Sequence, residues 1–587
     1  MVGVLSVGRL LGSRNTGSFS PAALFAASEV GVWYDPSDLT TLYQDSAGTT
    51  PVTAVEQPVG LMLDKSKGLV LGAELVTNGD FSSGTTGWTV PEADATLSVS
   101  GGIATLAQGS VDNFCRAYQA ITCEVGKCYA VSVEVTAVSS TISPRVHTVS
   151  AGTPSTPTWT AGSIASPQVV SGVFVASATT MYFIMMLPSA DGASASFDNV
   201  SVKELPGNHA SQSTSASRPV LSARYNLLTY TEQFDNAAWS KDSLLAFGSG
   251  STINATTAPN GTVTADLITA ANATAAAGVG QSAAVIAAAH TWSICFKPNG
   301  VRYVQLLWST TASTNYANYD IVSGIVTAGT YTAATITQEA NGFYRLSITS
   351  TINAGNFGAF AWFVDSGTAA RTASFTGDGV KGAYIWGADL RVTNDGVGLP
   401  EYQRIAAATD YDTTGFPPYL KFDGVDDTLV GPAISNVISA SAYEACVGAR
   451  FNAVTTNSVN SWENQSLVAD SAGYVGIGMA RSTGAVGAYN FDGAQDEITV
   501  AMTPPATIVL QQRHSGGNLI VSTNGGAEVS TASGSTSALF GALQLLKAYI
   551  SGFTNGRLYG AIIRNTAFTD AERTNVRTWM NNVTKGY

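Results

Sequence analysis

The sequence predicts an all-β chain of β-sandwich modules, closed by one short C-terminal helix. Three observations carry the prediction. Short runs alternate apolar and polar residues with period two, as in YAVSVEV at 129–135, FDNVSVKEL at 197–205, FYRLSITS at 343–350 and AYIWGADLRV at 383–392. Turns rich in Gly, Asn, Asp and Ser separate these runs. The composition pairs 12% charged residues with 22 Phe, 22 Tyr and 10 Trp, a balance suited to half-buried pleated surface and unlike that of a disordered chain.

Read in order, the first 30 residues are a polar tail followed by a short helix. Ser20 stands at the cap, Pro21 at the first helical position and Gly31 at the end. Strand-like runs then fill most of the chain. The segment SAAVIAAAH at 282–290 has helical propensity but lies between strand-like runs, so helix and strand both stay open there. The clear helix is TDAERTNVRTWMNN at 569–582. Thr569 and Glu572 form a capping box, and Val576, Trp579 and Met580 share one face. With 587 residues, three or four domains are expected.

Charge and cysteine content remove several function classes. A net charge of −13 offers no basic footprint for nucleic acid or for an anionic membrane surface. No apolar stretch approaches the roughly 20 residues of a membrane span, and no secretory signal is visible. Five scattered cysteines (115, 123, 128, 295 and 446) form no disulfide framework, and Cys123 and Cys128 lack a second pair at zinc-site spacing. The four histidines lie far apart. No nucleophile elbow or phosphate loop is present, and the glycine-rich GYVGIGMA at 473–480 reads as a strand. No catalytic residue is assigned.

The chain contains an imperfect repeat. One copy opens with ELVTNGDFSSGTTGWTV at 74–90 and closes with FDNVSVKEL; the other opens with YNLLTYTEQFDNAAWSK at 225–241 and closes with AYIWGADLRV. Phe81 precedes Trp88, and Phe234 precedes Trp239. These motifs resemble family-4/9-type carbohydrate-binding modules, which are jelly rolls. The resemblance implies a structural calcium between first and last strands, with Asp80 and Asp198 at the matching positions; in the second copy Asp235 follows the Phe instead, which departs from the pattern. A second resemblance is carried by VWYDPSDLTTLYQDSAGTTPVTAVEQPVGLMLDKSKG at 32–68, GNHASQSTSASRPVL at 207–221, YLKFDGVDDTLV at 419–430 and GRLYGAIIRNTAFTDAERTNVRTWM at 556–580. In that order they resemble a concanavalin-A-like, laminin-G-type lectin domain.

The expected organisation is therefore nested. Residues 1–31 form an anchoring tail and short helix. The lectin-like domain is discontinuous, built from 32–70, 206–223 and 405–587. Two jelly rolls, 71–205 and 224–404, are inserted in its loops, as guests with adjacent termini can be. Three domains in a row, with a small separate N-terminal element, is the competing arrangement.

Such a combination resembles a structural protein of a bacteriophage particle: a tail fibre, spike, head fibre or decoration protein. It implies location in the virion, association with other virion proteins, a homotrimer, and contact with host-surface glycans. Sugar binding uses exposed aromatic faces. The candidates are Trp88, Trp239, Trp292, Trp308 and Trp462: Trp88 and Trp239 suit cores as parts of the opening motif, Trp308 after VQLL suits an inward position, Trp292 stays open, and Trp462, in the polar stretch NSVNSWENQS, is the candidate for exposure. Two rivals stand beside this reading. One is a polysaccharide depolymerase using Asp423, Asp426 and Asp427, residues read first as Asx-turn acceptors and second as calcium ligands. The other is a purely architectural capsid or tail protein.

Overall fold

The structure, a computed structural model, describes residues 19–25, 29–109, 114–151, 156–187, 192–242, 245–246, 253–454, 465–481, 484–536, 541–547 and 552–587. The fold is all-β, and the described residues contain one α-helix, Asp570–Thr584. The chain forms two compact units: 1–222 with 419–503 and 508–584, and 223–418 with 504–507 and 585–587.

In the first unit, distant segments share one eight-stranded antiparallel sheet. Asn555–Arg564 lies at its heart. Gly31–Tyr34 pairs with the 561–564 end of this strand, and Tyr419–Asp423 pairs with its 555–558 end. Tyr443–Phe451 pairs along the opposite edge. Tyr443–Phe451 is buried at every position, as a strand covered on both faces must be. One cover is the C-terminal helix, whose Val576 and Met580 pack with Trp33, Cys446 and Ile562. Trp579 is half-buried and meets Trp33 edge-on at 5.9 Å. Thr569 Oγ1 accepts the Glu572 N–H, and Glu572 Oε2 accepts the Thr569 N–H at 2.8 Å, closing the capping box. A nine-stranded sheet includes Leu61–Met62, Ala210–Ser211, Leu429–Ala433 and Ala542–Leu545.

One buried carboxylate ties three of these segments together. Asp64 Oδ1 accepts from the Trp33 and Ser66 N–H groups, both at 2.8 Å. Its Oδ2 accepts from Ser66 Oγ and the Asn208 N–H, also at 2.8 Å. Its own N–H donates to His209 Nδ1 at 2.9 Å, while His209 Nε2 faces the Leu205 carbonyl at 3.0 Å. That ring is therefore neutral, with Nε2 donating, and burial lowers its pKa below 6.5. Between the folded and unfolded pKa values the unfolded chain holds more protons. Stability is consequently lost as pH falls through and below about 6.5. We predict that the urea midpoint of the first unit falls from pH 7.5 to pH 5.5, and that His209→Gln reduces this difference.

The same unit holds a sandwich between residues 74 and 204. Its five-stranded sheet runs Gln168–Val175, Cys128–Val138, Ser194–Glu204, Ile103–Ala107, Thr96–Ser100. Its four-stranded sheet runs Cys115–Thr122, Thr180–Leu187, Ser143–His147, Trp159–Thr160. Phe81, Trp88, Phe183 and Phe197 lie in the core between them.

The second unit repeats this two-sheet design with three additional strands. One six-stranded sheet runs Leu245–Ala246, Asp266–Ala270, Gly382–Val392, Ala288–Asn299, Tyr344–Ile352, Ala333–Gln338. The other runs Ser240–Lys241, Gly278–Val285, Gly355–Val364, Tyr303–Trp308, Tyr316–Asp320, Ile325–Thr330. The opening motifs share one backbone hydrogen-bond pattern. In the first copy Gln119 clamps the backbone of Thr77, accepting its N–H at 2.6 Å and donating to its carbonyl at 2.9 Å. Gln281 does the same to Thr229, at 2.8 and 2.9 Å. The next residue, Asn78 or Tyr230, has φ of 54° or 52°. This turns its carbonyl to accept the indole N–H of Trp88 at 3.2 Å or Trp239 at 2.9 Å. A left-handed Tyr is rare; the clamp and the indole bond together hold Tyr230 there.

One local expectation is corrected, and one open alternative is decided. The N-terminal helix is a single 3₁₀ turn, Pro21–Leu24, without a side-chain cap from Ser20, and Gly31 opens a strand rather than ending a helix. Residues 282–285 and 288–290 are strand, parts of Gly278–Val285 and Ala288–Asn299, which lie in different sheets and are linked through Ile286 and Ala287. Pairing of Gly278–Val285 with Gly355–Trp362 outweighs the alanines' helical propensity.

Candidate functional site

In each repeated module, the sheet that holds Thr180–Leu187 or Gly355–Val364 presents an outer face. In the second unit, Ala359, Ala361 and Phe363 of strand Gly355–Val364 point into the core. Alternation turns Phe360 and Trp362 outward, where both are half-buried. The strand beside them supplies a glycine floor. A Cβ added at Gly278 would stand 2.2 Å from Trp362 Nε1, and one at Gly280 would stand 2.1 Å from Phe360 Cδ1. One at Gly358 would stand 2.4 Å from Phe360 Cε2. The two rings thus rest against backbone, where any larger residue would lift them. They form a platform with apolar surface facing solvent.

The corresponding face of the first repeat is built differently. Arg116, Tyr118 and Ala120 face Tyr182, Ile184 and Met186 across the register. Tyr118 and Tyr182 meet edge-on at 5.8 Å. Arg145, on the next strand, donates from Nη2 to Ser143 Oγ at 2.9 Å, and partial burial lowers its pKa. Arg116 pairs with Glu92 at 3.1 Å and donates to the Ala151 carbonyl. This face offers tyrosine hydroxyls and guanidinium groups; the other offers flat apolar rings.

Trp462 lies outside the described residues. Trp88, Trp239, Trp292 and Trp308 are buried in module cores. Asp80 is exposed and accepts from the N–H and Oγ of Ser82, which lowers its pKa. Asp198 accepts from the Asn199 N–H at 2.7 Å. The turns that carry them abut, with the Val200 N–H donating to the Gly79 carbonyl at 2.9 Å. No third acidic, histidine or cysteine ligand joins these two carboxylates among the described residues.

The FDGVDD turn is the one place, among the described residues, where three metal-capable side chains meet: oxygens of Asp423, Asp426 and Asp427 lie within 4.8 Å of one another. Asp423 Oδ1 accepts the Val425 N–H at 2.7 Å, and Asp427 Oδ2 accepts the Asp423 N–H at 3.0 Å. Ser217 Oγ donates to Asp426 at 2.9 Å. Burial raises the Asp427 carboxyl to about 6. A glycosidase spaces its two carboxyl groups about 5–5.5 Å apart for retention or 6.5–9.5 Å for inversion, with a sugar between. In this cluster Asp423 and Asp427 accept N–H groups of the turn itself, and Asp426 accepts from Ser217 outside it.

No protein-family model matches the chain. No curated protein matches it either. Solved structures give likenesses at low identity. One, described as "CBM4 structure and function", is 17% identical with a TM-score of 0.19; the match covers 22% of this chain and 99% of that one. The tandem CBM22-1–CBM22-2 domain of Paenibacillus barcinonensis Xyn10C is 10% identical with a TM-score of 0.23, over 55% of this chain and 98% of that one. A triple jelly roll from the turret of an archaeal virus is 9% identical with a TM-score of 0.13, over 92% and 97%. The all-β assignment rests on the strands themselves.

Sequence reading missed the platform. Its signal is in AFAWFV at 359–364, where small alanines alternate with large aromatics. Alanine on the core side of a strand leaves the bulk outside. GVG at 278–280 and the glycine at 358 mark the backbone against which rings can lie.

Proposed function

We propose that this chain is a non-enzymatic adhesion protein of a bacteriophage particle, in which sandwich modules hold glycans of the host surface. The observation that carries the glycan-binding part is the platform of Phe360 and Trp362 on its glycine floor. Outward aromatic rings on a rigid sheet suit the apolar face of a sugar ring, and rigid aromatic anchors supply contact area at low entropic cost. The virion assignment rests on the module combination read from the sequence: two carbohydrate-binding-type jelly rolls as guests in the loops of a lectin-type host. Homotrimeric assembly and attachment to other virion proteins belong to the same reading.

Immunogold labelling of purified particles tests the virion assignment. The expected result is label on every intact particle; absence of label overturns it. The depolymerase rival is tested at the FDGVDD turn. With bacterial polysaccharide as substrate, we expect no release of reducing ends from the wild-type chain. Release that disappears on combined alanine substitution of Asp423, Asp426 and Asp427, with the fold intact, would establish the rival.

A further inference from the structure

In the second unit, the sheet opposite the platform carries its own outward face. There we propose a second glycan site, one that takes a single neutral sugar residue edge-on. The proposal deepens the adhesion reading and rests on it. Strand register sets hydroxyls in rows. Thr335 stands opposite Ser347, Ser347 opposite Ser293 and Ser293 opposite Asp389; in the next row Thr349 stands opposite Thr291, and Thr291 opposite Arg391. Above these rows lies a groove of about 280 Å³, near the lower end of ligand-pocket volumes, about 300–1,000 Å³. The segment Asp395–Glu401, with Leu399 and Pro400, walls one side.

The chemistry of the lining selects the ligand. Both guanidinium groups in the groove are already neutralised. Arg391 forks onto the buried Asp389, with Nε to Oδ1 at 2.6 Å, and donates to the Pro400 carbonyl at 2.8 Å. Arg345 lies 3.8 Å from Glu339 and donates to Ser293 Oγ at 3.2 Å and the Gly387 carbonyl at 3.1 Å. Asp395 and Glu401 add negative charge, so an anion is disfavoured. The lining includes no aromatic residue, so a ring has nothing to stack on. What remains is hydroxyl. Thr291 Oγ1 bonds Thr349 and Thr393 at 2.9 and 3.0 Å, and Thr335 bonds Ser347 at 2.6 Å. Each hydroxyl has one donor and two acceptor sites, so these pairs leave capacity for a polyol. The fixed Arg391–Asp389 pair forms the rigid floor beside them.

The test is saturation-transfer NMR with glucose, galactose, mannose and N-acetylglucosamine, on the wild type and three variants. At least one of the four sugars should receive saturation from the wild type. Thr291→Val with Ser347→Ala should weaken that binding about tenfold, the loss of two hydrogen bonds. Thr335→Val, at an exposed edge-strand position where folding is little affected, should weaken it as well. Phe360→Ala with Trp362→Ala should leave it unchanged while removing polysaccharide binding, which separates this site from the platform. Absence of transfer from all four sugars overturns the proposal. So does transfer unaltered by the hydroxyl variants, or transfer lost with the platform.

Discussion

Asp64→Ala is expected to destabilise the first unit by about 3–5 kcal/mol, the range for breaking a buried, hydrogen-bonded charge network. The carboxylate is fully buried and accepts four hydrogen bonds, three of them from backbone N–H groups of residues 33, 66 and 208. Alanine leaves those donors unpaired, and each buried unsatisfied donor costs about 1–3 kcal/mol. The loss reaches beyond the turn. Trp33 belongs to the strand paired with Asn555–Arg564, and the Asn208 side chain donates to the Gly31 and Asn436 carbonyls, both at 3.0 Å. Hydrogen exchange should therefore rise together in 31–34, 207–211 and 561–564, although 530 residues of sequence separate the first from the last. Asp64→Asn keeps one acceptor oxygen and turns a donor toward an N–H, so it should fall between wild type and alanine. Exchange confined to 63–66 would show that the three segments do not depend on this residue.

The second large effect is on binding. Phe360→Ala and Trp362→Ala should each weaken polysaccharide binding by tenfold or more, since aromatic hot spots contribute about 2 kcal/mol or above. The fold should survive, because both rings are half-buried and the core beneath is formed by Ala359, Ala361 and Phe363. The floor gives an independent check. Gly278→Ala would place a methyl 2.2 Å from Trp362 Nε1, forcing the ring off the sheet while keeping the aromatic itself. Affinity electrophoresis of the three variants should show loss in all. Loss in the alanine variants with full retention in Gly278→Ala would mean that ring position does not matter, contrary to the stacking geometry.

What the sequence disclosed, and what it withheld, follows from the range of each interaction. Alternation and turn composition are local, so the strand near 129–135 appears as Cys128–Val138 and that near 383–392 as Gly382–Val392. The capping box at Thr569 and Glu572 is equally local and equally readable. The segment at 282–290 was ambiguous because alanine favours helix in isolation; only its partner 70 residues away decides the matter. The Phe81–Trp88 and Phe234–Trp239 pairs were visible as motifs, whereas the Gln119 and Gln281 clamps were not, because each joins residues some 40–50 positions apart. The platform was hidden for a related reason. Which face of Gly355–Val364 looks outward depends on the sheet opposite, and the depth of the floor depends on a neighbouring strand. The FDGVDD carboxylates were read first as turn-binding groups; Asp423 and Asp427 accept N–H bonds inside that turn, whereas Asp426 accepts from the distant Ser217.

The central claim is that this molecule holds glycan without cutting it. Affinity electrophoresis through gels containing a panel of bacterial capsular and cell-wall polysaccharides, followed by chain-length analysis of the same polysaccharides, tests it most directly. The account predicts retarded migration in at least one gel, restored by Phe360→Ala with Trp362→Ala, and polysaccharide of unchanged length. Unretarded migration in every gel, or chains that shorten with time, would contradict it.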